Sequence, residues 1–202
     1  PILRVVRGCS NVLWQEELEA QRNKNSLTPD AIAIQNAHFA NMLSGIGRLC
    51  YRSWDGMQNI CPYFLEDKIP DEKQASGGSG KSVMVNLVVD AAVNVLPIDM
   101  KSFKDIESAK NCLTDILKYP GKYRTVHWED RPKGFPLQYF YVKVTRGTNV
   151  ERKYGDPISL KMEESPLHVI TSNYPLSDDE GSTVGRFPLV SFSDRFSRGN
   201  SM

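Results

Sequence analysis

The sequence is poor in the residues that build metal clusters or disulfide frameworks. Four cysteines (Cys9, Cys50, Cys61, Cys112) and three histidines (His38, His127, His168) are scattered through 202 residues. No Cys-x-x-C pair occurs, and zinc ligands cluster at short spacing. Free thiols of a reducing compartment are the expectation. An excess of one charge is also missing: 25 Lys and Arg against 24 Asp and Glu leave +1. Nothing global therefore points to nucleic acid, and any basic surface has to be local. Long apolar runs are absent as well. The most apolar stretch, Val83 to Ile98, is interrupted by Asn86, Asp90 and Asn94, which argues against a membrane span. No signal-like leader opens the sequence, and the expected location is cytoplasmic (a host cell's cytoplasm for a viral or phage protein). The chain begins at Pro1 and ends at Met202 soon after an apolar run; we read it as a fragment of a longer protein. No internal repeat or low-complexity segment is present.

What is there suits one α/β domain with a sizeable core and a small helical appendage. Trp14 to Arg22 reads as a short helix in an otherwise polar start. Thr28-Pro-Asp30 is a helix opening, with Thr28 as N-cap, and the helix runs to about Leu43. A second helical stretch is expected from Gly45 to about Trp54. Pro62 to Leu65 reads as the first core strand and Val93 to Ile98 as another. Glu107 to Lys118 has the pattern of an amphipathic helix closed by Tyr119-Pro-Gly121. Thr125 to Trp128, His168 to Thr171 and Pro188 to Phe192 read as strands, Gln138 to Val144 as helix or strand, and Ile158 to Leu160 as extended. Strands alternating with helices predict a three-layer α/β domain with a mainly parallel sheet.

The most informative segment is Ala75-Ser-Gly-Gly-Ser-Gly-Lys-Ser82. It meets the pattern G-x-x-x-x-G-K-[ST] except that Ala75 replaces the first glycine, a position that mainly needs a small residue. Gly77, Gly78 and Gly80 let the backbone curl so that N–H groups of Ser76 to Val83, Ser79 among them, face phosphate oxygens. Lys81 is suited to the β- and γ-phosphates and the Ser82 hydroxyl to magnesium. The bland alternative is a flexible glycine-serine loop. A helix is expected from Val83 to about Ala92 because such a loop opens one, although the valines alone favour a strand.

A phosphate loop needs acids at the end of a neighbouring strand, and Thr125-Val-His-Trp-Glu129-Asp130 supplies a pair. We assign Glu129 to magnesium, usually through water, and Asp130 to polarising the attacking water. Taken alone, the pair is as well explained by a solvated acidic turn. Asn173, at the polar end of a strand, suits contact with the γ-phosphate and that water. Arg186 precedes the last strand. A lone arginine is commonly a surface charge, but here it suits a finger reaching a neighbouring subunit's ATP.

The order of these parts resembles the superfamily 3 helicases of the AAA+ class, most closely the ATPase half of viral, phage and plasmid primase-helicases of the poxvirus-type group. The resemblance covers about Ile46 to Phe196. YFLEDKIPDEKQASGGSGKS is similar to the first strand and phosphate loop, and TVHWEDRPKGF to the acidic strand. VTRGTNVERKYGDPISLKMEESPLHVITSNY is similar to the family's B′ segment and sensor-1 strand, and GSTVGRFPLVSFSDRF to the finger segment and closing strand. The acidic pair is Glu-Asp where Asp-Asp is commoner, and Gly185 replaces what is often a second arginine. By resemblance, Lys81 and Ser82 match the Walker A lysine and hydroxyl, Glu129 and Asp130 the paired acids, Asn173 sensor 1 and Arg186 the finger. The B′ segment implies a β-hairpin in the channel of a homo-oligomeric, hexameric ring, with Arg152 and Lys153 on or near it. Five basic residues (Lys143, Arg146, Arg152, Lys153, Lys161) against two acidic (Glu151, Asp156) give that region a local +3, which suits single-stranded DNA.

The sequence thus predicts a helical segment over 1–57 and a P-loop, AAA+-like ATPase core over 58–202 whose C-terminal part is missing. ATP and Mg2+ are the expected cofactors and replicative DNA unwinding the expected work. A P-loop small-molecule kinase and an ATP-dependent DNA-binding assembly module without unwinding remain the alternatives.

Overall fold

The computed structural model describes residues 2–50, 60–67, 78–109, 111–152, 154–176 and 181–196. Helix α1 (Ile2–Ser10) was not foreseen in the polar start, whereas α2 (Trp14–Arg22) was. Helix α3 (Pro29–Cys50) opens on the expected cap, the Ala31 amide donating to Thr28 Oγ1 at 3.2 Å. It is one helix through Cys50 rather than two: Gly45 and Gly47 lie inside it, where helical hydrogen bonding overrides their low propensity. Residues 51–59 lie outside the described residues.

Five strands form one all-parallel sheet in the order β2-β3-β6-β1-β7: β1 (Tyr63–Glu66), β2 (Val95–Asp99), β3 (Thr125–Arg131), β6 (Leu167–Ser172) and β7 (Leu189–Phe192). Alternation along each strand sends side chains to two cores. Phe64, Val169, Val190 and Phe192 meet Val6 and Cys9 of α1 and Met42, Ile46 and Leu49 of α3. Tyr63, Trp128 and Ile170 face the other way, toward Leu113, Ile116, Phe135, Phe140 and Phe187. Because both faces are covered, the central strands read as continuous apolar runs.

The helix after the glycine loop, α4, is α-helical over Lys81–Met84, π-helical over Val85–Val89 and α-helical again over Asp90–Val93. Met84, Val85, Val89 and Val93 are buried on the sheet. Val83 and Leu87 point to solvent at 52% and 68% exposure. Burial of one apolar face outweighs the strand preference of the valines. Asn94, at φ 54, ends the helix, and the Asp90 carboxylate accepts from the Val95 amide at 2.6 Å.

The helix expected over Glu107 to Lys118 is broken. A 3-10 turn (Glu107–Ala109) is followed by Asn111 at φ 67, and only Thr114–Lys118 (α5) is α-helical. A left-handed residue cannot continue a right-handed helix. Gln138–Thr145 is a helix (α6), carrying Phe140 and Val144 into the core.

Strands β4 (Asn149–Arg152) and β5 (Gly155–Ser159) form a separate antiparallel hairpin, longer than the extended run expected at Ile158 to Leu160. At its base Leu160 N donates to Thr148 O at 3.0 Å and Thr148 N to Ser165 Oγ at 2.8 Å. Gly147 enters this base at φ +100, and a Cβ there would lie 2.2 Å from Leu160 O. Replacing Gly147 with alanine therefore both strains the backbone and forces the hairpin base apart. We expect a loss of roughly 2–3 kcal/mol in urea unfolding; a loss within about 0.5 kcal/mol, the usual range for surface changes, would contradict this account. The short helix α7 (Gly181–Arg186) precedes β7. Among the described residues no helix is long and apolar enough to cross a membrane.

Candidate functional site

In a parallel sheet all strands end at one edge, and ligand crevices form there where successive connections leave in opposite directions. Strands β1 and β6 are neighbours whose chains go on to opposite sides of the sheet, to β2 and to β7. The glycine loop follows β1 and Asn173 follows β6, so both lie at this crevice. The acidic strand β3 is not the neighbour of β1: β6 lies between them. That insertion puts the Asn173 end between loop and acids.

Ser76 and Gly77 lie outside the described residues. Gly78 and Gly80 have φ of 102° and 91°, conformations that favour glycine. A Cβ at Gly80 would lie 3.3 Å from Cys9 Sγ, so α1 backs the loop. Burial pushes the Cys9 thiol up to about 11, an inert packing thiol. Ser79 is fully buried and Lys81 is 5% exposed. The Lys81 ammonium donates to Ser79 Oγ at 2.9 Å and lies 3.8 Å from Glu66 Oε2, an ion pair rather than a hydrogen bond. Burial pulls the Lys81 pKa below the lysine range, and the carboxylates of Glu66 and Asp130 oppose that shift. Ser82 is half-buried on the first turn of α4. The Val83 side chain faces solvent, leaving its backbone as the part near the loop.

Glu66 was not foreseen as part of the site. Its only sequence signal is an acid closing an apolar strand, which also describes an ordinary strand end. Three-dimensional proximity to the start of α4 gives it meaning.

On β3 the register slips between Trp128 and Arg131, and Asp130 has φ 52. This is a bulge, which re-aims side chains at a strand end. Asp130 N donates to Thr171 Oγ1 at 3.2 Å, and the carboxylate pairs with Lys101 at 2.9 Å. That contact raises the pKa of the exposed Lys101. Glu129 stays in register with Asp99 of β2, its carbonyl accepting from Met100 N at 2.9 Å. Behind the acids His127 shares a 3.0 Å hydrogen bond with the same Thr171 hydroxyl.

Asp130 and Asn173 line one cavity of about 220 Å³ with Lys101, Arg131, Pro132, Lys133 and Tyr174. Asn173 Oδ1 is buried there without a hydrogen-bond donor among the described residues. The sheet thus brings together Asp130 and Asn173, and places Lys81 within electrostatic reach of Asp130.

Magnesium held on a nucleotide takes only one or two protein ligands and keeps several waters. Glu66 closes β1, Glu129 and Asp130 lie near the carboxyl end of β3, and Ser82 lies in the first turn of α4. Among the described residues no group of three or more His, Cys, Asp or Glu side chains gathers as a metal site would, so the oxygens present suit at most the one or two protein ligands of an ion carried by phosphates. No hydrogen bond among the described residues joins Ser82 to Glu129.

Arg186 is elsewhere. Its carbonyl accepts from Cys61 N at 2.7 Å, just before β1 begins, so it sits at the opposite edge of the sheet. Its guanidinium lies 5.2 Å from the centre of the Tyr141 ring. It does not join the Lys81 site of its own chain. On the hairpin, Arg152 is exposed and donates to Asp156 O at 3.1 Å. Lys153 lies outside the described residues, and Tyr154 beside it is 94% exposed. Comparison with protein-family models and with curated proteins finds no match to this chain.

Proposed function

We propose that this chain is the ATPase part of a DNA helicase or translocase of the superfamily 3, AAA+ type, working as a homo-oligomeric, hexameric ring on single-stranded DNA. The observation that carries the reading is Lys81. It is a buried ammonium at the carboxyl edge of a parallel sheet, beside two glycines with positive φ, and its partners among the described residues are Ser79 and Glu66. Such a cation is desolvated in advance for a polyanion. The Asp130 and Asn173 cavity in the same crevice adds groups suited to hydrolysis.

On this reading Lys81 and the amides around Gly78 to Val83 bind the phosphates. Ser82 and Glu129 hold Mg2+, which when bound neutralises charge on the phosphate oxygens. Asp130 accepts a proton from the attacking water and Asn173 orients it. Arg186, at the far edge of its own chain, is assigned to a neighbour's site, where it would face the transferred phosphoryl group. The exposed Arg152 and the adjoining Lys153 contact the DNA backbone as hydrolysis moves the hairpin.

The test is strand displacement by the intact protein against an Asp130→Asn variant. We expect wild-type unwinding and a loss of roughly 100-fold in hydrolysis for the variant, the usual contribution of a general base. ATP-dependent DNA binding without displacement would replace the helicase by an assembly module. Phosphoryl transfer to a small acceptor would replace it by a kinase.

A further inference from the structure

Arg131 immediately follows the acidic pair and is 6% exposed. A buried guanidinium is expensive to desolvate and is normally paired with a carboxylate. Among the described residues no carboxylate pairs with it. Its Nη1 instead donates to Tyr63 Oη at 3.2 Å and its Nη2 to the Phe135 carbonyl. The Tyr63 hydroxyl in turn donates to Tyr174 O at 2.8 Å. Ser172 Oγ donates to Arg131 O at 3.0 Å and accepts from Tyr174 N at 3.0 Å.

These bonds close a ring. It runs from the Arg131 guanidinium through the Tyr63 hydroxyl to the Tyr174 carbonyl, back along the chain to Ser172, and through its hydroxyl to the Arg131 carbonyl. Asn173 is enclosed on both sides, and Asp130 is one residue away on the bulge. The first residue of β1, through its long side chain, is thereby tied to the carboxyl ends of β3 and β6, at the point where the register of β3 slips. A bulge disrupts the ladder locally; pairing resumes at Arg131 with Ser172, and the side-chain ring adds a second tie at that point.

We propose that Arg131, through a clasp closed by Tyr63, is the positioning residue that holds Asp130 and Asn173 at a fixed separation across their shared cavity. The catalytic meaning of that separation rests on the hydrolytic reading above. The planar fork of arginine matters, because one side of it reaches the phenol of β1 and the other the carbonyl of the turn after β3. A lysine has the charge but a single point of donation.

The test uses the intact protein with Tyr63→Phe and Arg131→Lys. Tyr63→Phe keeps the buried ring in its core and removes only the hydroxyl of the clasp. We expect kcat for ATP to fall roughly 10–100-fold, the scale of a misplaced reacting group. ATP affinity, set by the Lys81 loop, should stay within about twofold, well under the 1.4 kcal/mol that a tenfold change represents. Amide exchange should quicken at residues 130–131 and 172–174 and stay unchanged at 126–128. Arg131→Lys should give the same split. Unchanged exchange at either segment would overturn the clasp, as would wild-type kcat in Tyr63→Phe or a parallel loss of ATP affinity. A wild-type protein without ATP turnover would end the hydrolytic reading, and the clasp would then stand or fall on the exchange result alone.

Discussion

Replacing Lys81 with methionine in the intact protein is expected to lower ATP turnover at least about 100-fold, the scale seen when one preorganised charge-stabilising group is lost. Methionine keeps most of the unbranched stem and removes the ammonium. The consequence for stability is separate. Lys81 and Glu66 are both nearly buried, with side chains 5% and 9% exposed. Taking away the cation deprives the Glu66 carboxylate of a buried partner, a change that typically costs about 3–5 kcal/mol. A Lys81→Met/Glu66→Gln double variant replaces that carboxylate with an amide and should recover most of the loss in a urea melt. It should remain as inactive as the single variant. Hydrolysis at the wild-type rate by Lys81→Met would remove the phosphate-loop reading. Recovery of activity in the double variant would make Lys81 a structural residue only.

Much of the candidate site is legible in the sequence because its parts are local. A glycine pair with positive φ, a lysine and a hydroxyl follow each other within Gly78 to Ser82, and an α-helix must follow such a loop to bury Met84, Val85 and Val89. The strand carrying Glu129 and Asp130 is legible from its apolar run. What depends on strand order is not. Nothing in the sequence inserts β6 between the loop strand and the acidic strand, and that insertion brings Asn173 toward both. Glu66 and Arg131 were overlooked for the same reason. Each looks like an ordinary charge at a strand end until burial and partners from other strands are known. The edge on which Arg186 lies, by contrast, was available in advance: a residue just before a parallel strand sits at the amino edge, away from the carboxyl-edge crevice. The break at Asn111 went unseen because an amphipathic pattern reports a face, not the backbone conformation of one residue.

Acidification should begin to destabilise this domain just below the pH at which a free histidine titrates, because two histidines are buried in their neutral form. His168 is 3% exposed. Its Nδ1 accepts from the indole of Trp128 at 3.1 Å, and its Nε2 meets Thr148 Oγ1 at 3.2 Å. A proton on Nδ1 would break the Trp128 bond and set two donors face to face. Burial, with Lys143 adding repulsion, lowers its pKa to about 3. His127, fully buried behind the acidic pair, is lowered to about 4 by burial, with Glu129 and Asp130 opposing. Both values lie below the 6.5 of a free histidine, so the unfolded chain takes up these protons first. The stabilisation is complete above pH 6.5 and is lost progressively as pH falls toward 4 and then 3. One pKa unit corresponds to about 1.4 kcal/mol, which makes the combined effect on the order of 5–8 kcal/mol. That is comparable to the whole stability of a typical domain. Urea melts from pH 7 to pH 4 should therefore show a steep fall below pH 6. His168→Asn places an amide oxygen near the Nδ1 position, keeps an acceptor for Trp128 and removes one titrating group. Its stability should be lower than wild type at pH 7 yet fall by several kcal/mol less on acidification. Equal stability of the wild type at pH 7 and pH 4.5 would mean that neither histidine is held neutral by the fold.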